Sequence, residues 1–189
     1  MRTDAEDNRK RLLAAARATF DEKGPNASLN QIAKRAGVGS GTLYRHFPSL
    51  QSLLAAVIAD DIDALCTHGR DLLNHPSPED ALHIWLGAVA RHATAMRGLV
   101  AIQMATPPTQ TGRQRAALAG HHGAIRATGA ALLERVQAKG QAPGIDASDL
   151  LMLVNAAAWA SEQAPNDPDL LDRLLALISN WRIAPITNP

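Results

Sequence analysis

Disulfides, membrane segments and export signals are absent from this sequence. Cys66 is its only cysteine, so no intrachain disulfide can form, and the sequence suits a reducing compartment. No apolar run approaches the roughly 20 residues that a membrane-spanning helix requires. The charged first residues, MRTDAEDNRKR, lack the apolar centre of a signal peptide. We therefore expect a soluble protein of the cytoplasm that has no membrane partner.

A strong net charge is also missing, but the charge that is present is unevenly distributed. The formal net charge of the 189 residues is +1. Residues 1–50 contain nine lysines and arginines against five acidic residues, whereas residues 51–189 contain ten against thirteen. The basic excess at the beginning of the chain favours a contact with phosphate there, although a solvated basic face would look the same.

Motifs for catalysis or metal binding are missing as well. The sequence has no glycine-rich phosphate loop, no His-Glu-x-x-His and no Gly-x-Ser-x-Gly. Its seven histidines include neither a His-x3-His pair nor a cluster with carboxylates or cysteine at ligand spacing. We therefore expect no enzyme, no catalytic residue, no metal and no cofactor.

What is present is helical periodicity, and it predicts an all-α protein. No segment alternates polar and apolar residues over any length, which argues against a sheet. We expect an N-terminal three-helix domain over residues 1–50 and a C-terminal helical domain over 51–189, with about nine helices in all. The predicted helices span 7–23, two segments within 28–47, 50–74, 79–96, 98–105, 113–139, 147–163 and 167–183.

The stretch from Ser28 to Phe47 predicts a helix-turn-helix. Ser28 and Gln31 have the spacing of a capping box, which begins the first helix. Gly37 ends that helix, since glycine accepts the left-handed conformation of a sharp turn. The second helix, over about 39–47, places Leu43 and Phe47 four residues apart on its inner face.

The other face of that second helix has the chemistry of a DNA contact. Its glycines and hydroxyls allow close approach to phosphate. Tyr44 and His46 are suited to phosphate oxygens, and Arg45 is suited to a base edge in the major groove. A plain surface hairpin of an all-α protein would show the same two helices. The candidate DNA-binding residues are Ser28, Gly39, Ser40, Gly41, Thr42, Tyr44, Arg45 and His46.

Residues 9–58 closely resemble the DNA-binding domain of the tetracycline-repressor (TetR) family. The spacing of AGV (36–38) and GTLYRHF (41–47) is the most specific part of the resemblance. Further matching residues are Leu12, Ala15, Ala16, Phe20, Gly24, Ser28, Ile32, Ala33, Leu53 and Leu54. The resemblance implies a dimeric transcription regulator, usually a repressor, that a small ligand releases from a palindromic DNA operator. Leu50 departs from the family pattern, because many members have a basic residue there that pairs with phosphate.

The last two predicted helices are apolar on more than one side. A helix that is apolar on two sides needs two partners, here its own domain and the same helices of a second copy. The resemblance implies a homodimer formed through these helices, although an intrachain core is the alternative. The candidate interface residues are Leu150, Leu153, Val154, Ala157, Leu174, Leu177, Ile178 and Trp181.

The middle of the chain is the predicted sensor for a small, largely apolar ligand. Tryptophan and methionine adapt to apolar ligands, and a few polar groups would orient one. The same residues at helical spacing are more often ordinary core. The candidate pocket residues are Trp85, Val89, His92, Met96, Met104, His122, Met152, Asn155 and Trp159.

The sequence is also compatible with three other functions. The first is an enzyme, against which the missing catalytic motifs count, or a small-molecule carrier without catalytic activity, and in either one the helix-turn-helix is a relic. The second is a DNA-organising protein without sequence preference, which would need more positive charge. The third is a regulator that responds to a protein signal or activates transcription.

Overall fold

A computed structural model of the chain describes residues 2–104 and 112–179, without the side chains of 2, 3, 25, 98–104, 112–119 and 121. Within these ranges it contains helices only, which confirms the predicted all-α class. None of the described helices is both long and apolar enough to span a bilayer. The elements are α1 (Arg2–Lys23), a 3₁₀ turn (Gly24–Asn26), α2 (Leu29–Ala36), α3 (Ser40–His46), α4 (Leu50–Leu72), α5 (Pro78–Met104), α6 (Gly112–Gln137), α7 (Ala147–Glu162) and α8 (Leu170–Ile178).

Several predicted boundaries differ from the structure, and α1 begins at Arg2 rather than near residue 7. The predicted break near Gly98 is wrong, because α5 is one helix of 27 residues. A glycine inside a helix costs only about 1 kcal/mol relative to alanine, so it does not by itself end one. The last helix begins at Leu170 rather than near Asp167. The Asp167 carboxylate instead accepts two hydrogen bonds from Arg173, at 3.0 and 2.6 Å.

The chain divides into two compact units, and the division falls inside helices. One boundary lies in α4 after Asp61, and the other lies in α5 after Thr94. The first unit therefore contains α1 to α3, the first part of α4 and the end of α5. The predicted domain boundary between residues 50 and 51 stays a prediction. In the structure, α4 begins at Leu50, so residues 50 and 51 belong to a helix and not to a linker.

In the first unit, α1 packs against α2, and α2 packs against α3. The apolar positions recognised in the sequence are buried here: Leu12, Ala16, Phe20, Ile32, Ala33, Leu43, Phe47, Leu53, Leu54, Val57 and Ile58. Arg17 of α1 also pairs with Asp60 (2.7 Å) and Asp61 of α4. Burial opposes its charge, but the hydrogen bonds to both carboxylates prevail and raise the pKa of Arg17. α4 is thereby fixed to α1.

The core of the second unit is organised around Trp85 of α5. This side chain is fully buried, and its indole Nε1–H donates to the carbonyl of Leu65 in α4 at 3.2 Å. A Cβ added at Gly69 of α4 would lie 2.6 Å from the indole nitrogen, and one at Gly129 of α6 would lie 2.9 Å from the far ring. The two glycines therefore let α4 and α6 approach the opposite ends of the indole.

Candidate nucleic-acid interface

Ser28 caps the start of α2, and Gly37 makes the turn after it, as the sequence predicts. The hydroxyl oxygen of Ser28 accepts a hydrogen bond from the backbone N–H of Gln31 at 3.4 Å. Gly37 is left-handed, with φ 63°, and its N–H bonds to the carbonyls of Ala33 and Lys34. α3 begins three residues later, after Gly39. The local sequence thus fixes the point at which α3 leaves the turn.

The orientation of α3 separates an apolar face from a polar face. Leu43 is completely buried, and Phe47, which caps the C-terminal end of α3, is 5% exposed. On the other side, Tyr44 is 47% exposed, and Arg45 is exposed as well. The remaining predicted contacts also reach solvent: Ser28, Gly39, Ser40 and Gly41 are exposed, and Thr42 and His46 are half-buried. The structure therefore brings seven of the eight candidate residues together on α3 and its cap, with Ser28 at the start of α2.

Gly41, inside α3, has no reason in the fold to be glycine, whereas Gly39 is the N-cap, a position that accepts glycine readily. A Cβ added at Gly39 or Gly41 would meet no heavy atom within 4 Å, and neither residue has a positive φ. Glycine inside a helix nevertheless destabilises it relative to alanine. The small size of Gly41 is therefore explained better by an external partner that approaches the backbone closely.

Arg45 lies along its own helix and keeps donors available. Its Nε–H donates to the carbonyl of Gly41 at 3.4 Å, and its Nη2 donates to the hydroxyl of Thr42 at 3.2 Å. These bonds use two of the five guanidinium N–H groups. Arg45 is thus partly ordered on the exposed face, with N–H groups left for an acceptor outside the chain.

The predicted pocket residues are dispersed. Trp85 and Val89 are buried in the core of the second unit, and His92 and Met96 are half-buried on α5. His122 is exposed on α6, and the side chain of Met104 lies outside the described residues. The other three candidates, Met152, Asn155 and Trp159, are exposed on α7. The Trp85 indole is held among α4, α5 and α6 by the contacts described above, so it is a core residue in this conformation.

The predicted interface residues divide between core and surface. Leu150, Val154 and Ala157 are buried within the chain's own core. Leu153 is 56% exposed and Leu177 is 70% exposed, whereas Leu174 and Ile178 are half-buried. Trp181 lies outside the described residues. Of the seven candidates that the structure describes, Leu153 and Leu177 most clearly present apolar surface to solvent.

The exposed apolar face of α7 includes two residues that the sequence reading assigned to the pocket instead. Met152 is 70% exposed, and Trp159 is 57% exposed. The two are seven residues apart, hence on one face of the helix. Leu153 lies about 100° further round α7 and is exposed as well. The seven-residue spacing could have linked them to the interface, but Trp and Met composition favoured a pocket. Leu177 is exposed on α8, which packs against α7. We use the term apolar patch for Met152, Leu153, Trp159 and Leu177.

Among the described residues, no group of three or more His, Cys, Asp or Glu side chains is placed to hold a metal ion.

Two family profiles match this chain over most of its length. Residues 12–57 match the profile described as bacterial regulatory proteins, tetR family. Residues 77–180 match the profile described as the C-terminal domain of SbtR-like transcriptional regulators. The second match alone covers more than half of the chain.

Solved structures with the same fold include two with considerable sequence identity. A TetR transcriptional regulator from Streptomyces coelicolor is 31% identical, with a TM-score of 0.76 over 91% of this chain and 96% of that one. A TetR transcription regulatory protein from Mycobacterium vanbaalenii is also 31% identical, with a TM-score of 0.74 over 95% and 96%.

A curated relative shares a shorter region. An HTH-type transcriptional regulator of Staphylococcus aureus (strain USA300) is 47% identical over 73 residues. That match spans 38% of this chain and 40% of the relative's own length.

Proposed function

Because this chain belongs to the TetR family of bacterial transcription regulators, we propose that it is a cytoplasmic, homodimeric repressor whose two α3 helices bind a palindromic operator. The observation that carries this proposal is the exposed face of α3. It has hydroxyls, a cation and open space above two glycines, and none of its residues is acidic. This is the chemistry that the backbone and base edges of DNA require.

Different residues of α3 have different tasks in this proposal. Tyr44 and His46 donate to phosphate oxygens and set the position of the helix without reading the sequence. Arg45 enters the major groove, where its remaining N–H groups can pair with the acceptors of guanine. Gly39 and Gly41 allow the helix to approach the duplex closely. Leu50, half-buried at the start of α4, supplies no charge to the backbone contact.

Dimerisation supplies the second reading helix. A palindrome presents two half-sites separated by one helical turn, about 34–36 Å, so two copies of α3 must be held at that distance. We infer that the apolar patch on α7 and α8 is where the copies pair. Large apolar side chains exposed on two helices that pack against each other are typical of such an interface.

Release by a small, largely apolar effector completes the proposed cycle. The effector binds in the second unit and favours a conformation in which α4 holds α3 away from groove spacing. A compound that weakens DNA binding tenfold needs a preference of only about 1.4 kcal/mol for that conformation. Since coupling is reciprocal, the same compound must bind the DNA complex tenfold more weakly than the free protein.

The proposed operator binding is tested with duplexes selected by the wild-type protein from a random-sequence library. In gel-shift titrations, Tyr44→Phe and His46→Ala should weaken binding to the selected duplex and to unrelated duplexes alike. Arg45→Ala should weaken the selected duplex most, by roughly 1–3 kcal/mol, because it removes a contact to a base. If all three variants bind the selected duplex as tightly as the wild type, α3 is not the reading helix.

A further inference from the structure

Two arginines of α1 contact the two ends of the α3 segment. Arg11 reaches the turn before α3, and Arg9 lies over the ring of Phe47, where α3 ends. We propose that Arg11, held by Asn8, is a positioning residue that orders the start of the reading helix. This inference rests on the proposed function only in taking α3 as the helix that reads DNA.

Arg11 holds the carbonyl of the residue that makes the turn. Its Nη2 donates to the Gly37 carbonyl at 3.2 Å and to the Asn8 side-chain oxygen at 3.0 Å. The N–H of Gly37 is already bound to the end of α2. With Arg11 on its carbonyl, both polar groups of this left-handed residue are engaged. The direction in which the chain leaves towards α3 is thereby restrained on both sides of Gly37.

Arg9 supports the other end of α3. Its guanidinium carbon lies 5.9 Å from the centroid of the Phe47 ring, within the range of a cation–π contact. The backbone N–H of Phe47 in turn donates to the carbonyl oxygen of Leu43 at 2.8 Å. One turn of α1 therefore contacts both Gly37, three residues before α3, and Phe47, the C-cap of α3.

The competing explanation is that these arginines are ordinary phosphate contacts at the start of α1. The two roles differ in their dependence on salt. Each phosphate contact that is lost lowers the slope of log K against log salt by about 0.9, for specific and non-specific duplexes alike. A positioning residue instead affects the selected duplex more than an unrelated one. Asn8 separates the roles most clearly, since its removal changes no charge.

The experiment compares Arg11→Ala and Asn8→Ala with Lys10→Ala, a matched control that removes one charge from an exposed residue on the same turn. Each variant is titrated, over a range of salt concentrations, with a duplex selected by the wild type and with an unrelated duplex of equal length. We expect Arg11→Ala to weaken the selected duplex about tenfold more than Lys10→Ala does. Asn8→Ala should weaken it about threefold with an unchanged salt slope, and the unrelated duplex should be unaffected by that variant.

A second measurement requires no DNA. Hydrogen exchange of the backbone amides in residues 38–43 should be faster in Arg11→Ala than in the wild type, and unchanged in Lys10→Ala. The proposal is overturned if Arg11→Ala and Lys10→Ala behave alike in both measurements, or if Asn8→Ala equals the wild type in both. If the wild type selects no duplex from the library, the proposed operator binding fails, and hydrogen exchange alone then decides whether Arg11 orders α3.

Discussion

The two units of this protein expose faces of opposite chemistry. In the first unit, α3 turns Tyr44 and Arg45 to solvent and buries Leu43. In the second unit, α7 and α8 leave large apolar side chains exposed, with Leu177 at 70%. Polar groups and glycines on a rigid helix fit a highly charged partner, whereas an apolar patch fits a second protein surface. We propose that the first of these surfaces binds DNA and that the second binds another copy of this chain.

The largest expected effect distinguishes the inside of the second unit from its surface. Trp85→Ala removes a fully buried indole and should lower the free energy of unfolding by about 3–5 kcal/mol. Trp159→Ala, at a residue that is 57% exposed, should lower it by less than about 1 kcal/mol. Urea denaturation of both variants at low protein concentration measures the difference. Equal losses would show that Trp85 is not the centre of this core.

The next effect tests whether the two faces act independently. Leu177→Lys places a charge in the apolar patch and should raise the dimer dissociation constant about 30-fold, equivalent to roughly 2 kcal/mol. Ala55→Lys, at an exposed position of α4, should leave the dimer dissociation constant unchanged. Tyr44→Phe should also leave it unchanged and should weaken only the binding of DNA. Analytical ultracentrifugation without DNA tests all three. A dimer that tolerates Leu177→Lys would remove α8 from the proposed interface.

Within the helix-turn-helix of the first unit, alanine substitutions at two glycines should change the free energy of unfolding in opposite directions. Gly37→Ala forces alanine into a left-handed conformation and should destabilise the protein by about 1 kcal/mol. Gly41→Ala should stabilise it by about 0.5–1 kcal/mol, since nothing lies within 4 Å of the added Cβ.

Thermal unfolding and gel shifts on both glycine variants test this pair. Gly41→Ala should also weaken DNA binding in spite of its greater stability. Undiminished DNA binding by Gly41→Ala would contradict the role of this glycine in the close approach to DNA.

The smallest effect is a pH dependence that belongs to the second unit. The hydrogen bonds from Arg173 lower the pKa of Asp167 below its ordinary value of 3.8. A lowered pKa in the folded state stabilises the protein above the unfolded pKa, and this contribution disappears as the pH falls through the folded value. The difference in stability between the wild type and Asp167→Asn should therefore be present at pH 6 and shrink below about pH 4. Urea midpoints across that range measure it, and a difference that persists to pH 2 would exclude this ion pair as its cause.

The helix-turn-helix was predictable because its signals are local. Three signals each act within about one turn of the chain. They are the cap at Ser28, the left-handed Gly37 and the two apolar residues Leu43 and Phe47, which are four positions apart. The structure confirms all three. The second unit has no comparable motif, and its predicted pocket and interface residues depended on composition, periodicity and the family resemblance.

The sequence by itself therefore determined the fold class, the position of the helix-turn-helix and its family, since each depends on short-range spacing. Only the tertiary structure decided which apolar side chains are core and which are surface. Leu150 and Leu153 lie on the same helix and have the same chemistry, yet one is 2% exposed and the other 56%. The packing of neighbouring helices determines that difference, because an amphipathic pattern with two apolar sides does not specify which side the chain itself covers.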